Sequence, residues 1–319
     1  MKKRKKIILC GSIAIDRIMN FSGKYKDLFK LTNKEILSIS VFLSNLKNNH
    51  GGVGANIAYT LALLGEKPIL VGSVGKEAEG YLEKLSALGI DTRNIHRSLL
   101  ETASFNVITD SANNQIGGFY PGAMFDSDSQ TLNKWAGKDV LVVISPHDPK
   151  AMKRQIEECF KNKFQMFYDI GQQVLNTSKE DLIFGLSKAQ ILILNEFEMK
   201  ALCSKTKNSI SSLKSRIPLV ITTLGEEGSI IEGKNISKKI RIKSVRIDEV
   251  VDPTGAGDAY RAGFLYGFAR DWDLKTCGQM GSLAASCTIA HHGTQEHLFT
   301  KEEFSNKYED CFEEKLLLI

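Results

Sequence analysis

The sequence predicts an α/β protein: a doubly wound, mostly parallel sheet with a small β lid built from insertions. Three observations lead there. Short apolar runs alternate with segments of helical periodicity along most of the chain, the pattern of strand–helix–strand units whose sheet is covered on both faces. Two stretches, 21–46 and 104–120, interrupt that alternation. The chain also has 319 residues, 42% hydrophobic and 25% charged, enough to bury a sizeable core without disulfide or metal staples.

The strand candidates, in order, are 7–14, 68–74, 140–144, 165–168, 190–194 and 218–222. Helical segments lie between them. Segment 56–64 is stopped by Gly65, and 78–88, with Leu82 and Leu85 on one face, by Gly89. Helices at 255–269, at 274–291 and from Phe304 onward close the chain. Thr300 and Glu303 have the spacing of a capping box for the last one. Segment 21–46 is polar and lysine-rich, with short apolar pieces such as Ile39-Ser40-Val41-Phe42. Segment 104–120 reads as strand, turn at 110–114, strand, which is a hairpin by its turn chemistry. Insertions that fold as a small sheet over the strand ends make lids. The large domain then takes 1–16, 47–100 and 121–319, and the lid takes 17–46 and 101–120.

Charge excludes one class of partner. The net charge is +5, but five of the 42 basic residues stand together at 2–6, and the remainder balances at 37 basic against 37 acidic. A nucleic-acid-binding protein needs lysine and arginine clustered on the folded surface, so none is expected. The apolar run after the basic tail is too short for a secretion signal, and no stretch approaches the roughly 18 apolar residues of a membrane span. The six cysteines form no C-x-x-C pair. Free, mostly buried thiols of a cytoplasmic protein are expected. His291 and His292 are adjacent, so on a helix they point about 100° apart and suit no shared ion.

The segment Asp252-Pro253-Thr254-Gly255-Ala256-Gly257-Asp258 carries chemistry. It opens a helix, with Thr254 able to cap. Free N–H groups at a helix N-terminus, together with the dipole, make an anion site. Glycine leaves room there for a phosphate. Asp258 beside that site could accept a proton from an attacking hydroxyl while the amides hold the developing charge. Spacing alone equally allows a plain turn with Asp258 as a cap. The pattern is neither of the common phosphate-loop fingerprints.

This segment, continued as Ala259-Tyr260-Arg261-Ala262-Gly263-Phe264, resembles the C-terminal motif of the ribokinase-like (PfkB) carbohydrate kinases. Gly51-Gly52-Val53-Gly54-Ala55-Asn56 resembles that family's N-terminal motif. Asn195-Glu196-Phe197-Glu198 resembles its N-x-x-E motif, and Thr222-Thr223-Leu224-Gly225 with Gly228 its nucleotide-side loop. They fall in family order across nearly the whole chain. Finer features resemble the actinobacterial-type adenosine kinases: Gly11-Ser12-Ile13-Ala14 with Asp16, Phe119-Tyr120-Pro121-Gly122-Ala123-Met124, His147-Asp148-Pro149, Gln172-Gln173, Arg261 and Gly293-Thr294-Gln295-Glu296. One departure is Ile170-Gly171, standing where Pro-Ser is expected before the paired glutamines.

The resemblance implies a kinase that transfers the γ-phosphoryl group of ATP, with Mg²⁺, to the 5′-hydroxyl of adenosine, in purine salvage. Asp258 would be the base, and Gly255, Ala256 and Gly257 the anion hole. Ser12, Asp16, Gly52 and Asn56 would meet the sugar, and Gln172 and Gln173 the ribose or base. Phe105 and Phe119, on the hairpin, would stack on the purine; otherwise they pack the lid core. Asn195, Thr223, Gly225, Gly228, Thr254, Gly257 and Gly293 would line the ATP site, and Glu198 would organise the water shell of Mg²⁺. Asn195 and Glu198, one helical turn apart, also suit a helix cap with a surface glutamate. The lid strand 37–43 alternates apolar and polar residues, an unprotected edge. Lids of the resembling enzymes pair between subunits, which implies a homodimer with Ser40 reaching the partner's site. Rival readings are a broad nucleoside kinase or a sugar kinase of the same fold, and a nucleoside-binding sensor without catalysis. The intact base and glycines disfavour the sensor.

Overall fold

The computed structural model describes residues 4–30 and 39–318. In chain order the strands are β1 (Lys6–Cys10), β2 (Ala14–Phe21), β3 (Leu43–Gly51), β4 (Ile69–Val74), β5 (Asp91–Arg97), β6 (Ala103–Thr109), β7 (Gln115–Tyr120), β8 (Val140–Ile144), β9 (Gln165–Asp169), β10 (Ile191–Asn195), β11 (Leu219–Thr223), β12 (Ser229–Glu232) and β13 (Ile240–Ile242). The helices are α1 (Tyr25–Lys30), α2 (Val53–Leu63), α3 (Glu79–Ala87), α4 (Pro149–Asn162), α5 (Lys179–Lys188), α6 (Glu196–Thr206), α7 (Ile210–Arg216), α8 (Ala256–Phe268), α9 (Leu274–Ile289) and α10 (Lys301–Phe312).

Nine strands form one sheet in the order β13-β12-β11-β10-β9-β8-β1-β4-β5, parallel except at β12 and β13. Its two faces feed two cores, and β1 shows why its residues are apolar without alternation. Ile7 and Leu9 pack with residues of α2, α3, α8, α9 and α10, whereas Ile8 and Cys10 pack with residues of α4, α5 and α6. A strand buried on both faces needs every side chain apolar. Four strands, β3-β2-β6-β7, form the second, smaller sheet.

The expected strand at 7–14 is two strands in two sheets. The chain leaves the large sheet after Cys10 and enters the small one at Ala14. The break falls where the start of α2 presses on the chain: a Cβ on Gly11 would lie 2.7 Å from the Cα of Gly54. Segment 21–46 is not all irregular. Strand β2 runs through Phe21, α1 follows, and β3 runs on to Gly51. Of the expected lid strand 37–43, residues 37 and 38 lie outside the described residues, and 39–42 are irregular, with β3 starting only at Leu43. The hairpin stands as β6 and β7, with Asp110 accepting hydrogen bonds from Ala112 and Asn114 in its turn. The last helix begins at Lys301 with the Thr300–Glu303 capping box formed. All six cysteines are free, three of them buried. No helix among the described residues is long and apolar enough to cross a membrane.

Candidate active site

The carboxyl ends of the parallel strands bring the chemistry-bearing residues together, as expected for an open α/β sheet. Ser12 follows β1, Asp169 ends β9, and Asn195 and Thr223 end β10 and β11 side by side in register.

Helix α8 supplies the centre. Its cap is Gly255, at φ 83°, a left-handed conformation natural to glycine. Thr254 does not cap; its N–H donates to Asp252 Oδ1 at 2.9 Å, while the Asp252 Oδ2 accepts from Gly293 N–H at 3.0 Å. Asp252 thus ties the helix-opening loop to the loop at Gly293. The Ala256 N–H turns back to the Pro253 carbonyl at 3.3 Å, so the amides on either side of it, at Gly255 and Gly257, are the better anion donors. Behind them lies a positive charge. A Cβ on Gly257 would sit 2.9 Å from Arg261 Nη1.

Arg261 is buried and pairs with the fully buried Asp169 at 2.6 Å. Burial pushes Asp169 up to about 7, against the pull of Arg261. Arg261 stays protonated: burial opposes its charge, but Asp169, Asp258 and Glu198 hold it. Asp258, one turn before Arg261, is raised by burial, with Arg261 and the Asn56 hydrogen bond opposing the rise. Asn56 Nδ2 donates to Asp258 Oδ2 at 2.8 Å. Asn56 lies buried inside α2, whose cap is Gly52.

Gly52 and Ser12 hold backbone together. Gly52 has φ 94°, and a Cβ there would meet Ile13 and Ala14 backbone atoms at 2.6 Å. Ser12 Oγ accepts from Val53 N–H at 3.0 Å, closing the start of α2 from a distant part of the chain.

The small sheet forms the opposite wall. Strand pairing aligns Asn49, Asp16, Phe105 and Phe119 in one row across β3, β2, β6 and β7, so all four project from one face. That face turns toward α8: burial, then the neighbouring Asp258 and Asp252, push Asp16 up to about 6. A Cβ on Gly51 would fall 2.6 Å from Asp16 Oδ2, so Gly51 is what leaves the carboxylate its space. Phe105 and Phe119 are 39% and 52% exposed. They are not lid core; the small buried cluster there is Ala14, Ala103 and Met124.

Other expected residues have structural partners. Gln173 Nε2 donates to the His147 carbonyl at 2.7 Å and its Oε1 accepts from Asn176, whereas Gln172 is exposed. Both sit in a 3₁₀ turn, Gly171–Val174. Asn195 and Glu198 form a complete capping box on α6, each bond 2.8 Å, yet Glu198 is buried rather than a surface charge. Gly228 is packed, since a Cβ would strike the Ile242 carbonyl, while Gly225 faces open space. Ser40 is exposed. No group of three His, Cys, Asp or Glu among the described residues could hold a metal by itself. Mg²⁺ commonly keeps several waters and needs only one or two carboxylates beside substrate phosphates, which Glu198 alone can serve.

Sequence reasoning missed Asn49, and it read Asp252 and Gln295 within motifs without giving either a role. Period-two counting back from Gly51 would have placed Asn49; the Gly293 partner of Asp252 and the Asn56 and Tyr81 partners of Gln295 lie too far along the chain for any local signal.

Comparison with known proteins decides the family. Residues 14–301 match the pfkB family carbohydrate kinase profile. The chain belongs to this family. Members of the pfkB family are ATP-dependent phosphotransferases acting on hydroxyl groups, and the chain is such an enzyme. A nucleoside kinase of Methanothermobacter thermautotrophicus is 34% identical over 303 residues, 93% of this chain and 94% of its own. One of Methanocaldococcus jannaschii is 31% identical over 96% and 98%. The Burkholderia thailandensis nucleoside kinase in complex with inosine superposes with a TM-score of 0.85 at 32% identity, covering 97% of this chain and 99% of that one. A complex of the same Burkholderia enzyme with ADP-inosine is also known. These relatives are nucleoside kinases and do not single out the actinobacterial adenosine kinases.

Proposed function

We propose that the protein is a nucleoside kinase of broad base preference, transferring the γ-phosphoryl group of ATP to the 5′-hydroxyl of a nucleoside, adenosine and inosine among them. With adenosine the product is AMP, a salvage reaction. The observation that carries this reading is the row Asp16–Phe105–Phe119: a carboxylate for the sugar and two exposed rings for a flat base share one face opposite Asp258. Sugar kinases need no aromatic pair. The names of the relatives, and the inosine bound by the Burkholderia enzyme, support it.

In this reading Asp16 and Asn56 take the ribose hydroxyls, and Gln172 reaches the ribose or base. Asp258 takes the proton of the 5′-hydroxyl as that oxygen attacks the γ-phosphorus and ADP leaves. Gly255 and Gly257, with Arg261 behind them, hold the charge on the transferring group. Phosphoryl transfer asks for positioning and charge stabilisation above all. Asn195, Thr223, Gly225 and Thr254 line the ATP side, and Glu198 would hold Mg²⁺ through water. That ion would neutralise phosphate charge.

ADP release with ATP and Mg²⁺ should be measured over adenosine, inosine, guanosine, cytidine, ribose and fructose. Turnover with several nucleosides and little with free sugars is expected; preference for a free sugar would discard the proposal. Phe105→Ala and Phe119→Ala should each raise the nucleoside KM by roughly fivefold, about 1 kcal/mol of lost stacking, with the KM for ATP unchanged.

Asp16 gives a pH signature. Its carboxylate accepts sugar hydroxyls best when ionised, and burial with the neighbouring carboxylates pushes it up to about 6. The nucleoside KM should therefore climb, by up to about tenfold per unit, as pH falls below 6. An Asp16→Asn enzyme with the same climb would remove Asp16 from this role.

A homodimer through the lid belongs to the same proposal. On the face away from α8, Leu46, Met19, Ile108 and Ile116 line up across the four strands, with Leu46 59% and Ile116 53% exposed. A second copy would bury this row and bring Ser40 toward the partner's site. Light scattering at micromolar concentration should give twice the chain mass; a strict monomer refutes it.

A further inference from the structure

Asn56 faces Asp258 with its NH₂ group, and two donors stand on its other side. Thr294 Oγ1 and Gln295 Nε2 reach Asn56 Oδ1 at 3.0 and 2.9 Å. An asparagine amide can lie either way round, and its hydrogen-bond partners decide which. Gln295 offers Oδ1 only an N–H donor, so the reversed Asn56 amide would set donor against donor there and oxygen against carboxylate at Asp258, whereas Thr294 has one hydroxyl hydrogen to divide between Asn56 Oδ1 and the His50 carbonyl. Gln295 is itself held. Its Nε2 also reaches Tyr81 OH at 2.5 Å, and Tyr81 OH donates to the Gly51 carbonyl at 3.0 Å. The Gln295 Oε1 is buried with no partner among the described residues, so this side chain is engaged as a donor only. All of Tyr81, Thr294, Gln295 and Asn56 are buried.

We propose that Gln295 is a positioning residue for the base: by donating to Asn56 Oδ1 it fixes the amide that aims Asp258 and keeps it a proton acceptor, with the Thr294 hydroxyl in support. The inference rests on the reading of Asp258 as base. Charged groups also face Asp258 from other elements: Asp16 on β2, Asp169 on β9, Glu198 on α6 and Arg261 on its own helix. Of these only Arg261 favours the ionised form, so the Asn56 donor has few substitutes. Strand β3 enters the same network, because Thr294 Oγ1 also reaches the His50 carbonyl at 3.1 Å.

The test compares Gln295→Met and Thr294→Val with the parent enzyme, using ATP, Mg²⁺ and inosine or adenosine. Each variant should lose about 10–100-fold in kcat and keep its KM for ATP. The acid limb of its kcat–pH profile should move to higher pH, because a base with a weakened donor protonates more readily. Gln295→Glu supplies the rescue. Its protonated carboxyl can donate to Asn56 Oδ1, so activity should return toward acid pH and fall away as pH rises. Variants that melt like the parent and keep its acid limb overturn the inference, as does a Gln295→Glu profile matching that of Gln295→Met. Should Gln295→Met fail to fold, the Gln295→Glu profile decides. An Asp258→Asn enzyme that still turns over would instead sink the reading beneath it; a dead Asp258→Asn with unmoved limbs in the other variants sinks only the positioning role.

Discussion

Asp258→Asn should lower turnover by about 10²–10⁴ while leaving the fold intact. Asparagine has the shape of the carboxylate it replaces and can still accept from Asn56 Nδ2, 2.8 Å away in the parent. What it loses is the ability to take a proton from the attacking hydroxyl. Stability should not suffer. Burial raises Asp258, which means that the folded protein disfavours its charge, and a neutral amide relieves that. Single-turnover kinetics and a thermal melt of the same preparation check both halves. A purified variant with parental turnover would show that the proton leaves by another route.

Arg261→Leu should destabilise the protein in a pH-dependent way, by about 1.4 kcal/mol for each pH unit over which the parent's Asp169 is ionised and the variant's is not. Asp169, fully buried and bonded to Arg261 at 2.6 Å, would be left alone. The loss should depend on pH in a defined sense. Asp169 is raised from its ordinary value to about 7 even with Arg261 beside it. A carboxyl raised on folding costs nothing below its unfolded pKa, and costs progressively more as pH rises toward its folded pKa. Without Arg261 that folded value rises further, so the variant goes on losing stability over a wider range. Urea melts at pH 5 and pH 8 should show a small gap to the parent at the lower pH and a large one at the higher. A gap that is equal at both would mean that the pair is not what Arg261 contributes.

The large sheet was legible because a strand buried on both faces must be apolar throughout; β4, β8, β9, β10 and β11 all fall within a residue or so of the expected runs. Edge strands obey no such demand. Strand β5, Asp-Thr-Arg-Asn-Ile-His-Arg, is mostly polar, and β12 and β13 are too short to show a period. Helix α2 starts earlier than its periodicity indicates because its first amide is closed by Ser12, which is not its neighbour in sequence. Helix α4 carried a readable start: Asp148 caps it and Pro149 takes the first position. In the site, the loop from Asp252 to Asp258 was readable as an anion cradle because glycine, proline and helix start are local. The Asn56–Asp258 contact was not, since nothing in either segment names the other. Asn195 and Glu198 were open to two readings: the cap is formed, but its glutamate is buried at the sheet's carboxyl edge rather than on the surface.

The row of residues on each side of the small sheet has a consequence for how such a chain can change. On the proposed reading, alternate positions of each strand answer to different demands, one side to a bound nucleoside and the other to a second copy. Substitutions at Phe105, Phe119 or Asn49 can therefore retune selectivity without disturbing assembly, and changes at Leu46 or Ile116 can do the reverse. A single-residue deletion has no such freedom. Lost from β7, one residue carries Phe119 to the outside and brings its neighbour into the cleft, so both properties would shift in one step.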